Sequence, residues 1–305
     1  MLKNYLQDDS KILTLDGNQM FDFQPFNLYG DPEALAQAYK ISEETGVPVK
    51  VIYDPPFNHL QNWFKKGSTW YYFKSDALIY ILNELVGEKI SEYFALETAH
   101  YQLSRINFNM FNKYGIASAN FCSPSNEYKR ITDLNFSHSD EFDWLDNIKV
   151  LCKNNDEYKR LLLDLKKLFI RDFMSRERDR NISNFLFKIN ANGVRLAPLF
   201  DYEGSFFGDV DYYFNPLGTL DINNLNTCNL LKYDQDFQML LEKIMNFNIG
   251  KSLEIIEEEN NFHIPIEFKE YYKQQIFKTK ELILKKIFWS FLLTFNNKKY
   301  TILLY

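Results

Sequence analysis

The chain has few of the residues that staple or ligate small folds. Cysteine occurs three times in 305 residues, at Cys122, Cys152 and Cys228. An odd number at such wide spacing forms neither a zinc motif nor a disulfide framework, so a reducing compartment is expected. The four histidines, His59, His100, His138 and His263, do not cluster. His100 follows Glu97 by three positions, but no second His or Cys stands at ligand spacing, so a surface or partly buried histidine is expected rather than a metal ligand. Long apolar runs are absent too. The longest, Ile287 to Phe295, is less than half a membrane span. The start, Met1-Leu2-Lys3-Asn4-Tyr5, continues into polar residues without the apolar segment of a signal peptide. A cytoplasmic protein is expected, with export lacking a classical signal as the other route. Positive charge is also in deficit. The net charge of -6 argues against direct nucleic-acid binding, which needs a basic face.

What is present is apolar mass. Hydrophobic residues make up 46% of the chain, enough for a sizeable core in one large domain or two lobes. Lys11 to Leu15 followed by Asp16-Gly17 reads as a strand and turn. Asp31-Pro32-Glu33 reads as a helix start, running to about Thr45, and Val47 to Tyr53 as a strand. Thr69 to Lys74 is a β-branched and aromatic strand with a lysine at its exit. From Ala77 to Arg105 the pattern is helical in two pieces broken near Gly87, with Glu97 in the second. Short strands and turns are expected over 108–135, and a weak helix over 140–153. Tyr158 to Met174 has apolar residues at helical spacing. An irregular stretch over 206–226 precedes helices over 234–247, 249–259 and 265–288. The residues after Phe288 read as a small added strand or a local irregularity.

The most informative stretch follows the helix that ends near Met174. Asp179-Arg180-Asn181-Ile182-Ser183-Asn184 precedes a short apolar run. A turn at Asn190-Ala191-Asn192-Gly193 and a second apolar run lead to Asp201-Tyr202-Glu203-Gly204-Ser205. This is a loop feeding a hairpin, with two carboxylates and an amide at its open end. Phosphoryl transfer needs oxygen ligands for a cation, an acceptor for the hydroxyl proton, a lysine at the phosphates and a carboxylate to hold that lysine. Lys74, Glu97, Asp179, Asn184 and Asp201 supply these groups in that chain order. Taken singly, each has a plainer reading: a solvated lysine, a wet helical glutamate, or a turn residue. Arg171, Arg176, Arg178 and Arg180, interleaved with Asp172 and Glu177, read as surface ion pairs, with Arg180 the one placed to hold the loop.

Asp-Arg-Asn-Ile-Ser-Asn-Phe-Leu-Phe and Leu-Ala-Pro-Leu-Phe-Asp-Tyr-Glu-Gly-Ser resemble the catalytic and metal segments of HipA-like kinases, in the style of the compact members of that family. They are more distantly similar to phosphoinositide kinases. The resemblance is strong over 158–206, fair over 69–117 and 234–285, and absent over 1–66. It implies an α+β, two-lobed protein-kinase-like fold with a mixed α/β N-lobe and a mainly helical C-lobe. It divides the chain into 67–140 and 141–305, with 1–66 an N-terminal extension or part of the first lobe. By position it makes Asp179 the catalytic proton acceptor and Asn184 and Asp201 the metal ligands. Lys74 becomes the ATP-phosphate lysine and Glu97 its helix partner. ATP and Mg2+ are the implied cofactors. The implied activity is that of a protein serine/threonine kinase, autophosphorylating or toxin-like, with an antitoxin or regulatory partner. A lipid or small-molecule kinase and a nucleotide-binding pseudokinase stand as alternatives. Two departures are plain: Asn181 replaces the usual histidine, and only Gly67-Ser68 precedes the lysine strand, without a glycine-rich loop. Ser68 stands near the place of the serine that HipA autophosphorylates.

Overall fold

The structure, a computed structural model, describes residues 2–17, 60–107, 112–123, 125–130, 144–177, 180, 185–207, 213–215, 218–221, 226–227 and 234–297. The helix and strand expected over 31–53 lie outside these residues, as do Asp179, Asn181, Asn184 and Cys228.

Five strands build the first sheet: β1 (Leu13–Asp16), β2 (Leu60–Lys66), β3 (Thr69–Ser75), β4 (Tyr101–Asn107) and β5 (Asn112–Ala119), in the order β1-β4-β5-β3-β2. β1 runs parallel to β4, and the other neighbours are antiparallel. The two edges therefore come from the first 66 residues. Alternation along β3 sends Phe73 and Lys74 to opposite faces. Phe73 packs with Leu15, Phe64, Ile106 and Ala117 in a small cluster. Lys74 pairs in register with Ile116, which pairs with Leu103, and both belong to the main core on the other face.

Helix α1 (Leu78–Tyr93) lies against that face and runs unbroken through Gly87. The expected break at Gly87 is absent because the glycine serves close approach. A Cβ there would collide with Tyr202 and with the guanidinium of Arg171. The expected second helical piece is absent as well. Ala95 takes a left-handed backbone, with φ 56°, and the Leu96 amide bonds back to the Ser91 carbonyl, which ends the helix. The chain then enters β4, where Tyr101 and Leu103 point one way and Ile106 the other. This period of two is filled on both covered faces.

Helices α2 (Trp144–Leu151) and α3 (Asn155–Ser175) follow. The Asn154 side chain caps α3 by accepting from the Glu157 amide at 3.0 Å. Leu161, Leu165, Leu168 and Phe169 on α3 are buried at the spacing read from sequence. A second antiparallel sheet joins β6 (Glu127–Arg130) to the hairpin of β7 (Leu186–Asn190) and β8 (Gly193–Leu196). Gly193, at φ 106°, allows the turn, and the Glu157 carboxylate accepts from the Val194 amide at 2.6 Å.

The stretch expected to be irregular holds a small sheet of β9 (Tyr213–Asn215), β10 (Gly218–Asp221) and β11 (Asn226–Thr227). Helices α4 (Gln235–Asn246), α5 (Ile249–Asn260) and α6 (Ile266–Asn297) complete the chain. α6 continues past Phe288, where a strand or irregularity was expected. One contiguous apolar core joins α1, β4, α3, the β7–β8 hairpin and α4 to α6. Among the described residues, no helix is long and apolar enough to cross a membrane.

Candidate active site

Lys74 is the centre of the site. Its strand position turns it inward, and its side chain is only 9% exposed. A buried ammonium requires charged partners. Its Nζ lies 2.6 Å from Glu84 Oε1, 2.5 Å from Asp201 Oδ1 and 3.6 Å from Glu203 Oε2. Burial opposes the charged lysine, but Asp201 and Glu84 outweigh it and hold the Lys74 pKa well above the usual value. Burial also pushes the Glu84 carboxyl up to about 7, with Lys74 opposing and Asp201 reinforcing the rise. The two partners of one ion pair thus both shift upward. Three acids face this ammonium, and Glu84, the most buried of them, is the one that burial raises.

Glu84 grips two segments at once. Its second oxygen accepts from the Tyr202 amide at 2.8 Å. The residue before it, Asn83, donates to the carbonyls of Glu203 at 3.0 Å and Ser205 at 2.8 Å, and accepts from the Tyr272 hydroxyl at 2.8 Å. The Asp201 amide donates to the Tyr101 hydroxyl at 3.2 Å. The Phe206 amide donates to the Ser175 carbonyl at 2.6 Å. With the Tyr271 hydroxyl of α6 donating to the Phe206 carbonyl at 2.9 Å, α1, β4, α3 and α6 together hold the Asp201–Phe206 turn. Asp201 itself adopts φ 66°, a left-handed conformation that a non-glycine residue keeps only when its surroundings impose it.

The expected pairing of Lys74 with Glu97 is corrected. Glu97 stands on no helix. It lies between α1 and β4, its side chain is 61% exposed, and it meets Lys188 at 2.7 Å. Its backbone carbonyl bonds the Leu199 amide, which fixes the residue beside the end of the hairpin rather than beside Lys74. His100, expected on the same helical side as Glu97, instead meets Glu88 of α1 at 3.0 Å. The structure brings Lys74 and Asp201 together and adds Glu84 and Glu203. Asp179 and Asn184 lie outside the described residues, between Arg180 and the buried Phe185 or directly beside them in sequence.

No family model matches the sequence, and no curated protein does. Among solved structures, the Helicobacter pylori proinflammatory kinase CtkA matches with a TM-score of 0.54 at 18% identity, covering 75% of this chain and 95% of that one. The chain has the fold of that kinase. A Shewanella oneidensis HipA, solved with HipB and operator DNA, matches with a TM-score of 0.44 at 9% identity, over 81% of this chain and 70% of that one. The likeness to the Helicobacter pylori kinase bears out, at the level of fold, the resemblance read from the residues.

The donor set fits a hard cation. Oxygen atoms of Glu84, Asp201 and Glu203 lie within 4.8 Å of one another, and Asp201 and Glu203 keep partial exposure. The turn that carries Asp201 is tied down through its backbone, while its two carboxylates face the Lys74 ammonium. Glu84 went unread in the sequence, although it left a signal. It sits inside Leu82-Asn83-Glu84-Leu85-Val86, where an acid among buried apolar residues needs a buried cation.

Proposed function

We propose that the chain is a phosphotransferase that moves the terminal phosphoryl group of ATP to a serine or threonine hydroxyl of a protein, itself included. The observation that carries this reading is the Lys74 ammonium bridging Glu84 and Asp201, the first from the helix after the lysine strand and the second from the turn after the hairpin. Phosphoryl transfer depends on positioning and on charge placed at the transferring group, and a lysine paired with a helical glutamate beside a metal-binding aspartate is the apparatus it uses. The β1–β5 sheet with α1 forms the first lobe in this reading, the helical part forms the second, and ATP lies between them.

Lys74 neutralises phosphate charge while Glu84 keeps it aimed. Asp201 and Asn184 would hold Mg2+, and Glu203 would add negative charge to the site. When bound, the metal neutralises charge on the phosphate oxygens. Asp179 accepts the proton of the attacking hydroxyl as its oxygen bonds to the γ-phosphorus and the bond to the ADP oxygen breaks. An antitoxin or other regulatory partner belongs to this proposal through the HipA resemblance alone.

Incubating the purified protein with Mg2+ and ATP labelled on the γ-phosphate tests the reading. Label on the protein itself or on a protein substrate is expected. Asp179→Ala and Lys74→Met should each cut transfer by about 100-fold or more while leaving the circular dichroism spectrum unchanged. Label appearing on lipid would replace the acceptor class. ATP binding without any turnover would make the chain a nucleotide-binding pseudokinase.

A further inference from the structure

The residue beside the proposed proton acceptor, Arg180, belongs to a sealed ionic network at the end of α3. Its Nε lies 3.0 Å from Asp172 Oδ2 and its Nη2 lies 3.2 Å from Asp172 Oδ1, a two-pronged contact with one carboxylate. Arg171 Nη1 donates to the same carboxylate at 2.7 Å and stands 3.6 Å from Glu177 Oε2. Glu177 in turn accepts from the Ser205 hydroxyl at 2.5 Å. The remaining nitrogen of the Arg180 fork, Nη1, donates to the backbone carbonyl of Phe200 at 3.2 Å. Phe200 precedes Asp201, the left-handed residue that meets Lys74. The Arg171 guanidinium lies 4.2 Å from the centre of the Tyr202 ring, on the other side of Asp201. That ring backs onto Gly87, one turn along α1 from Glu84. One guanidinium thus ties α3 to the peptide entering Asp201, while its neighbour braces the residue leaving it.

We propose that Arg180 is a positioning residue: by gripping Asp172 with two nitrogens it aims the third at the Phe200 carbonyl, and so holds Asp201 in the orientation that receives a metal-bound nucleotide. The role rests on the phosphotransferase reading for its consequence and on the hydrogen bonds alone for its geometry. It depends on a planar fork with fixed angles, which a lysine ammonium cannot reproduce although it keeps the charge. Arg180→Lys is therefore the informative change.

Two measurements on the full chain test it. In the nucleotide-free protein, amide exchange over residues 197–207 should quicken about 10-fold in Arg180→Lys, with α3 unchanged. ATP affinity measured with Mg2+ and with chelator should differ strongly in the wild type, and Arg180→Lys should lose about 10-fold of that metal-dependent gain, as changes behind a metal ligand do. Affinity for ATP without metal should hold, since Lys74 is untouched. Wild-type exchange and wild-type metal dependence in a folded Arg180→Lys protein would overturn the role. If the variant does not fold, Asp172→Asn, which leaves Arg180 in place with a weakened acceptor, should show the same two changes, and their absence there would overturn it equally. A wild type without any metal-dependent ATP binding sinks the phosphotransferase reading instead, and the exchange result still decides the role of Arg180.

Discussion

Two buried ionic clusters meet at the Asp201 turn, and they differ in balance and in access. Around Lys74, three carboxylates face one ammonium, and the Asp201 and Glu203 side chains keep 18% and 31% of their exposure. Around Asp172, two guanidiniums meet two carboxylates, and no member is more than 1% exposed. Charges sealed from water are tolerated when paired and hydrogen-bonded, and in the second cluster each charge meets an opposite one, with Arg171 Nη2 left without a hydrogen bond. The first sets three described acids around one ammonium and opens toward solvent at Asp201 and Glu203. In the proposed phosphotransferase the closed cluster fixes geometry, and the open one meets the cation and the nucleotide.

The strongest way to break the comparison is to unbalance the closed cluster. Asp172→Ala removes the acceptor shared by Arg171 and Arg180 and leaves two buried guanidiniums facing Glu177 alone. Breaking a buried pair by deleting one partner costs about 3–5 kcal/mol, so the urea midpoint should fall steeply. A midpoint within experimental error of the wild type would mean that water reaches these groups, and the contrast between the clusters would be lost.

The open cluster should instead reveal itself through pH. Burial raises the Glu84 carboxyl from its ordinary value to about 7, with Lys74 opposing. A group that holds its proton more tightly when folded stabilises the fold fully below its unfolded pKa, near 4.5, and loses that contribution as pH rises through about 7. Stability should therefore decline from about pH 5 to about pH 8 by about 1 kcal/mol or more that Glu84→Gln removes. Comparison with the variant separates Glu84 from the buried Glu88 and Glu177, whose carboxyls burial also raises. Parallel pH profiles for the two proteins would show that Glu84 is a fully compensated ion-pair partner, and the cluster would then be as balanced as its neighbour.

Much of the architecture was legible because it depends on local pattern. The aromatic strand at Thr69–Ser75, the α3 periodicity, the turn at Asn190–Gly193 and the helices after Asp234 follow from alternation, spacing and capping residues in the chain itself. The site was half legible. Lys74 and Asp201 stand beside recognisable strands and turns, while the partner of Lys74 depended on which part of 77–105 is helical. The Gly87 position looked like a helix breaker because the incoming Tyr202 side chain, 115 residues later, is invisible in a local window. The stretch after it looked helical because β4 is covered on both faces, so its apolar residues do not alternate cleanly. Those two long-range facts moved the carboxylate from Glu97 to Glu84. Arg171 and Arg180 were misread for the same reason: ion pairs that look superficial in sequence are buried once α3, α1 and the Asp201 turn close on them.

The smallest effect belongs to Glu97, and it decides whether that reassignment stands. Its pair with Lys188 is on the surface, and such pairs contribute about 0–1 kcal/mol. Glu97→Gln should shift stability by less than about 0.5 kcal/mol and leave phosphoryl transfer within about twofold of the wild type, whereas Glu84→Gln should lower transfer by about 10-fold or more. The two variants differ by one charge each, so net charge and solubility change equally and only position distinguishes them. If Glu97→Gln were the more damaging of the two, Lys74 would have to exchange partners when nucleotide enters. The buried Lys74–Glu84 contact would then describe a resting arrangement rather than the working one.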